Sequence, residues 1–228
     1  ILVRGMAHEI KNPLGGIRGA AQLLDRELSS EDQREYTRVI IDEADRLRSL
    51  VDRMLGPNKA LKLAPTNIHE ILERVGTLLE AESKGRLNFE RDYDPSIPEF
   101  KGDKEQLIQA FLNIARNAME AAFENQGGHS SEESPTITFR TRTLRQFTIG
   151  NRRHKLVCRV DVIDNGPGIP PELVQNIFYP MISGRASGTG LGLSITQSII
   201  GQHRGLVECE SEPGRTDFII FLPLEDTP

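Results

Sequence analysis

The stretch Leu156-Val-Cys-Arg-Val-Asp-Val-Ile-Asp-Asn-Gly-Pro-Gly-Ile169 sets an apolar strand directly before an acid and two closely spaced glycines. Val157, Val160, Val162 and Ile163 give 156–163 its β character, and Asp164 falls where that strand ends. An Asp at a strand end can accept from an exocyclic amine, and Gly166 and Gly168 let the backbone pass close to a flat base. Adenine offers such an amine, whereas guanine carries a carbonyl at the same ring position. A plain Asn-Gly turn explains the glycines but not the apolar strand that runs into Asp164.

Outward from this stretch the chain alternates helices and strands. Upstream, 136–144 is β-rich, and Gly150-Asn151 with basic neighbours reads as the turn of a hairpin. The segments 68–82 and 104–123 read as helices and 86–93 as a strand. Downstream, a helix over 192–203 precedes strands at 206–210 and 217–222. Consecutive hairpin-like strands with interspersed helices indicate an α+β sandwich, not a doubly wound parallel sheet. The polar run 127–134 reads as a mobile loop.

The first fifty-five residues follow another period. Ile10, Leu14, Ile17, Ala21, Leu24 and Leu28 recur at helical steps, then Ile40, Ala44, Leu47, Val51 and Leu55 do so after the Glu31-Asp32 helix start. Two such helices form an antiparallel hairpin that cannot bury both seams alone, so two copies in a homodimeric four-helix bundle are expected. The plainer alternative is a helical pair packed on the rest of its own chain. Gly56-Pro57 ends the second helix, and 57–65 reads as a linker.

Composition narrows the function. The chain has 228 residues, of which 37% are hydrophobic and 27% charged, a globular balance. With 28 Lys plus Arg against 33 Asp plus Glu, the net charge of −5 gives no electrostatic reason to expect a nucleic-acid partner. Cys158 and Cys209 lie far apart outside any C-x-x-C pattern, which disfavours a zinc site or disulfide framework and fits a reducing cytoplasm. No apolar run is long enough for a membrane segment. The opening Ile-Leu-Val-Arg, already helical in character, is read as a fragment without its N-terminal sensory part.

Three further motifs carry chemistry. In Ala7-His8-Glu9-Ile10-Lys11-Asn12-Pro13-Leu14, His8 sits one position off the apolar seam. A neutral imidazole is a competent nucleophile, and Asn12 shares its helical face at i+4. Taken alone, His8 could equally be an ordinary half-exposed histidine. In Asn113-Ile-Ala-Arg-Asn117 the two carboxamides share one face, and their oxygens suit Mg²⁺ bridging phosphates, although such a pair alone could be a solvated face. Gly188-Thr189-Gly190-Leu191-Gly192-Leu193-Ser194-Ile195 runs into a helix, where glycine amides and a helix N-terminus make a phosphate cradle. It is not the dinucleotide fingerprint, because Leu193 replaces the third glycine, nor a P-loop, because no Gly-Lys-Ser/Thr occurs. The small and polar stretch 170–189 reads as a lid.

The order of these motifs, with Phe178-Tyr179-Pro180 between the glycine segments, resembles the bacterial sensor histidine kinases over essentially the whole chain. Details of the hairpin at 141–156 and of 178–185 resemble the nitrogen-regulatory members of that family. The resemblance implies a dimerisation and histidine-phosphotransfer hairpin at 1–56, a linker at 57–65 and a Bergerat-type ATP-binding domain at 66–228. It implies His8 as phosphoacceptor, Glu9 as its base or orienting carboxylate, and Asn12 as the residue that orients water in a phosphatase reaction. Asn117 becomes the Mg²⁺ ligand, Asn113 lies near the phosphates, and Arg116 or Arg185 neutralises phosphate charge. Asp164, with Gly166 and Gly168, takes the adenine, while Gly188, Thr189, Gly190, Leu191 and Gly192 form lid hinge and cradle. The implied partners are the receiver domain of an NtrC-like response regulator and a PII-like signalling protein. Gly214-Arg215-Thr216 resembles the last glycine motif in a sparser form and receives no role. Two other classes compete: a gyrase or heat-shock type ATPase of the same fold, and a non-catalytic dimeric interaction module. The ATPases carry a water-activating Glu where this chain has Asn113, and an amide cannot act as a general base at neutral pH.

Overall fold

Small residues decide how the first two helices meet. Helix α1 (Leu2–Glu27) and helix α2 (Glu31–Met54) form an antiparallel hairpin, packed through Ala21, Thr37 and Ala44, all at most 5% exposed. Thr37 donates to Asp25 across the pair, and Arg18 Nε donates to Asp45 Oδ1 at 2.8 Å. Arg34 N–H donates to Ser30 O at 3.1 Å, closing the first turn of α2. Ile17, Leu24, Ile40 and Leu47 of the same seams remain 41–51% exposed, so one hairpin buries the alanines and leaves the large side chains in water. The computed structural model describes residues 2–28, 30–54, 60–126, 134–182 and 190–225, without the side chains of 2–10, 48–54 and 125–126. Ile10, Val51, Leu55 and nearly all of the 127–134 loop therefore lie outside the described residues or side chains.

The chain divides into two compact units, 1–58 and 59–228. In the second, strand β1 (Ala64–Thr66) pairs antiparallel with β3 (Phe100–Gly102). An ordered strand thus occupies the end of the stretch read as linker. Helix α3 (Ile68–Ser83) starts at Asn67, whose side chain accepts from His69 N–H at 2.9 Å. Strand β2 (Asn88–Asp92), helix α4 (Lys104–Gln126), strands β4 (Thr136–Ile149) and β5 (Arg152–Asp164), a single turn α5 (Pro171–Val174), helix α6 (Gly192–Gln202), and strands β6 (Leu206–Glu212) and β7 (Arg215–Pro223) complete the order. The five-stranded sheet runs β2-β4-β5-β7-β6; β2 pairs parallel with β4 and every other neighbour is antiparallel. The expected α+β sandwich is present, with β5 at the centre of its sheet.

Alternation builds the core. Ile137, Phe139, Val160, Val162, Phe218 and Ile220 share one sheet face and meet Leu72, Val75, Phe111, Ile114 and Ile199 from α3, α4 and α6. Both strands of the central hairpin run further than the sequence suggests, to Ile149 and from Arg152. The basic residues Arg145, Arg152 and Arg153 look like turn chemistry. Yet Phe147 stacks on Phe221 at 4.6 Å, and Ile149 packs with Val157 and Ile219 on the outer face of the sheet. Buried Cys158 and half-buried Cys209 are both free, their thiols pushed up to about 12 by burial. Among the described residues no helix is long and apolar enough to cross a membrane.

At the end of α6, His203 is buried with Nε2 2.9 Å from the Asp103 backbone nitrogen and Nδ1 2.8 Å from Ile199 O. The amide can only donate, so Nε2 must accept and the proton sits on Nδ1. Burial, partly opposed by Ile199 O and Asp103, holds the imidazole pKa below its ordinary value. The unfolded chain therefore takes up a proton below about pH 6.5 that the folded chain refuses, and stability falls as pH falls through that window. Urea unfolding at pH 7.5 and 5.5 should show the wild type losing more stability on acidification than His203→Gln, which keeps an acceptor but cannot titrate; equal losses would contradict the assignment.

Candidate functional site

One stripe of α4 faces a cavity of about 510 Å³ within the second unit. Asn113, Asn117, Glu120 and Glu124 follow one another at steps of three and four and line it, while Leu107, Phe111, Ile114 and Ala118 turn the opposite stripe into the core. The helix is thus held by its apolar side and offers two carboxamides and two carboxylates on the other. Both glutamates were missed in the sequence, although the same spacing that paired the asparagines extends to them.

The two ends of the cavity differ. At one end Asn113 Nδ2 donates to Gly192 O at 3.1 Å, tying α4 to the first turn of α6. Helix α6 has no side-chain cap, so its leading amides remain for an anion. Gly190 stands at φ +63°, and a Cβ there would come within 2.8 Å of the backbone of Met181 and Ile182. Met181 N–H also donates to Gly190 O at 3.0 Å. Glycine is needed here because two backbone segments touch.

At the other end lies Asp164, 2% exposed, at the close of β5. Its Oδ1 accepts from Gly166 N–H at 2.9 Å, which helps a carboxylate survive burial. A Cβ on Gly166 would lie 2.7 Å from that oxygen and 2.8 Å from Ala121 Cβ, and one on Gly168 would lie 2.6 Å from Glu212 O. These glycines are dictated first by close packing inside the protein, and only Gly168 of the two reaches the cavity wall. Register then adds a residue to which the sequence assigned no role. Asp164 is directly opposite Thr216, and Thr216 opposite Ser211, on one rung of the sheet. Thr216 lines the cavity beside Asp164, and Ser211 Oγ accepts from Ile169 N–H at 2.8 Å to hold the neighbouring wall. Ile169, Leu173, Ile177 and Phe218 give that end an apolar lining suited to a flat ring.

The structure brings Asn113, Arg116, Asn117, Asp164, Gly168, Gly190 and Gly192 to one cavity. Gly166 and Leu191 sit behind the wall, and the Leu191 side chain is in the core at 1% exposure. Arg116 is ion-paired with Glu82 of α3, its Nε 3.0 Å from Glu82 Oε2, and this pairing holds the Glu82 carboxyl below its usual range. A phosphate would have to compete with Glu82 for it. Arg185, Gly188 and Thr189 lie outside the described residues, as does all of 183–189, the last third of the stretch read as a lid. His8 and Glu9 fall within α1 but their side chains are outside the description, while Asn12 is exposed on the same helix.

The donor chemistry fits a magnesium nucleotide. Among the described residues no three His, Cys, Asp or Glu side chains converge on a closed metal site. Asn117 instead offers a neutral, hard oxygen of the kind Mg²⁺ accepts while keeping waters and sharing phosphate oxygens. The cavity volume suits one nucleotide-sized ligand.

Comparison with known proteins agrees with this geometry. Residues 102–226 match the family of histidine kinase-, DNA gyrase B-, and HSP90-like ATPases, and residues 1–60 match the His Kinase A (phospho-acceptor) domain. The sensory histidine kinase/phosphatase NtrB of Vibrio alginolyticus is 55% identical over 98% of this chain, which spans 62% of that relative's length. The crystal structure of histidine kinase ThkA in complex with response regulator protein TrrA superposes with a TM-score of 0.60 at 26% identity, covering 98% of this chain and 61% of that one. Full-length ShkA in complex with AMPPNP shares the fold, with a TM-score of 0.62 at 24% identity over 99% of this chain and 46% of that one. The chain belongs to the histidine kinase-, DNA gyrase B-, and HSP90-like ATPase family and, with a phospho-acceptor segment ahead of the ATPase-like domain, has the make-up of an NtrB-like histidine kinase catalytic core.

Proposed function

We propose that this chain is the core of a cytoplasmic, homodimeric and bifunctional histidine kinase. It phosphorylates His8 from Mg-ATP, passes the phosphoryl group to an aspartate of an NtrC-like receiver domain, and removes it again under control of a PII-like protein. One observation carries the reading. The cavity has carboxamides at the Gly192 end, whereas Glu120 and Glu124 lie beyond Asn117 toward Asp164. No carboxylate of α4 stands where the γ-phosphate would meet water, so ATP is held for a positioned side chain instead of hydrolysis.

Adenine sits against Asp164 and Thr216, and the phosphates run along α4 toward the amides of α6. The carboxamide oxygen of Asn117, with Asn113 nearby, would hold Mg²⁺, which when bound would neutralise phosphate charge. The unprotonated nitrogen of His8 attacks the γ-phosphorus; the bond to the bridging oxygen breaks and its electron pair leaves with ADP. Glu9 takes the proton from the other ring nitrogen. The receiver carboxylate then attacks the phosphohistidine, and the imidazole leaves with the electrons of the N–P bond. In the reverse signalling state Asn12 orients water against the phosphoaspartate, releasing phosphate and the free carboxylate. An amide can accept from water and donate to a phosphoryl oxygen without competing as a nucleophile.

Incubation with γ-labelled ATP should place acid-labile label on the wild type and none on His8→Gln, whose nucleotide affinity stays within about twofold because the cavity is built from residues of the second unit and His8 belongs to the first. Label persisting on the variant would refute the phosphoacceptor. Asn12→Ala should autophosphorylate within a few-fold of wild type yet remove phosphate from the regulator about tenfold more slowly or worse; wild-type dephosphorylation would leave Asn12 as a residue merely tolerated before Pro13. The exposed Ile17, Leu24, Ile40 and Leu47 support the dimer. Light scattering should give twice the 25.5 kDa chain mass, and Leu24→Asp should return it to the monomer; a monomeric wild type would overturn the bundle.

A further inference from the structure

Asp103 gathers three parts of the second unit at one buried carboxylate. It lies between β3 and α4, 6% exposed, and its Oδ1 accepts from Gln106 N–H at 3.2 Å, capping the helix that carries Asn113 and Asn117. Its Oδ2 accepts from Gln106 Nε2 at 3.3 Å and from the backbone N–H of Lys62 at 2.9 Å. Its own backbone N–H is held by the neutral, tautomer-fixed His203 at the end of α6. Burial opposes ionisation of this carboxyl, but the Lys62 and Gln106 amides outweigh it and keep its pKa below the usual value.

The partners differ in purpose. The α4–α6 pair is already fastened along its length, by Asn113 Nδ2 on Gly192 O and by Thr196 Oγ1 on Ala110 O at 3.2 Å. The Asp103–His203 contact fastens its other end. Lys62 is different, because it belongs to neither helix. It lies eight residues after Met54, on the chain coming from the helical hairpin, and just ahead of the β1–β3 ladder that ends at Ala64 and Gly102. One carboxylate therefore fixes both the start of the nucleotide helix and the arriving chain. A phosphoryl transfer between a cavity and a histidine on another unit depends on how the connecting chain is anchored, since reach and orientation set the effective concentration.

We propose that Asp103 is a positioning residue for phosphorylation of His8: it latches the Lys62 segment to the α4 N-terminus, and His203 holds Asp103 in place. This rests on the kinase reading above. The latch and the cap are chemically separable. Asn caps a helix as well as Asp does, but it has one acceptor oxygen, and its amide would face the Lys62 N–H donor to donor.

The test is Asp103→Asn in the full chain, with Asp103→Ser as a second cap-keeping variant whose side chain offers a single short oxygen. Hydrogen exchange of the Lys62 amide should quicken about tenfold or more while the Leu107 amide keeps its protection. Affinity for a non-hydrolysable ATP analogue should stay within about twofold, and the rate of His8 labelling at saturating ATP should fall about fivefold or more. Release of Lys62 with an unchanged labelling rate overturns the proposal, as does a Lys62 amide that stays protected in both variants. Loss of affinity in step with rate also overturns it, because that marks simple damage to the nucleotide site. A wild type that never labels His8 defeats the kinase reading itself, and is seen before either variant is made.

Discussion

A carboxylate buried at the end of the central strand constrains most of the second unit. Asp164 is 2% exposed on a sheet face made chiefly of Ile, Phe and Val, where an uncompensated charge would be prohibitive. The fold supplies the compensation locally. Gly166 turns its amide back onto Oδ1, which only a residue without Cβ can do against Ala121 of α4. Gly168 then passes within contact of the β6–β7 turn, and the antiparallel register sets Thr216 opposite the acid. The strand, the glycine turn, the alanine on α4 and the last hairpin are thus one solution to one electrostatic problem, and that solution leaves a polar group facing a largely apolar recess.

Division of labour between the ends of α4 follows from this. Near Ala121 the helix packs against the Asp164 turn, and near Asn113 it is joined to the start of α6. A ligand lying along the helix meets a ring-sized, half-apolar end first and a carboxamide and helix-terminus end second. In the hairpin unit the same economy of small residues acts differently. Ala21 and Ala44 let α1 and α2 approach, and the large seam residues are left outward for a second surface.

Periodicity made much of this legible before any coordinates. Helices α3, α4 and α6 and the five strands of the main sheet were all foreseeable, because each has an apolar period set by its partner face. What escaped was non-local. The three-residue strands β1 and β3 exist only because they pair with each other across 34 residues of chain, from Thr66 to Phe100 at their nearest register. The parallel pairing of β2 with β4 cannot be read from either strand alone. The hairpin's extra length came from Phe147 and Ile149 packing on β7, which outweighs the local turn signal of three arginines. At the site, the asparagine pair and Asp164 stood out because they are awkward where they lie, Asn in a helix and Asp at an apolar strand end. Thr216 did not, since nothing local distinguishes it until the register places it opposite Asp164. Arg116 looked available for phosphate, but a long side chain on an exposed helix face found Glu82 on the neighbouring helix.

The central claim is that the Asp164 end of the cavity reads the amine of adenine. Titration with ATP and with inosine triphosphate, which carries a carbonyl in place of that amine, tests it most directly. Wild type should prefer ATP by about 2–4 kcal/mol, roughly thirtyfold or more, through a buried charge-assisted hydrogen bond, and the preference should vanish in Asp164→Ala. Equal affinity of the wild type for the two nucleotides would contradict it.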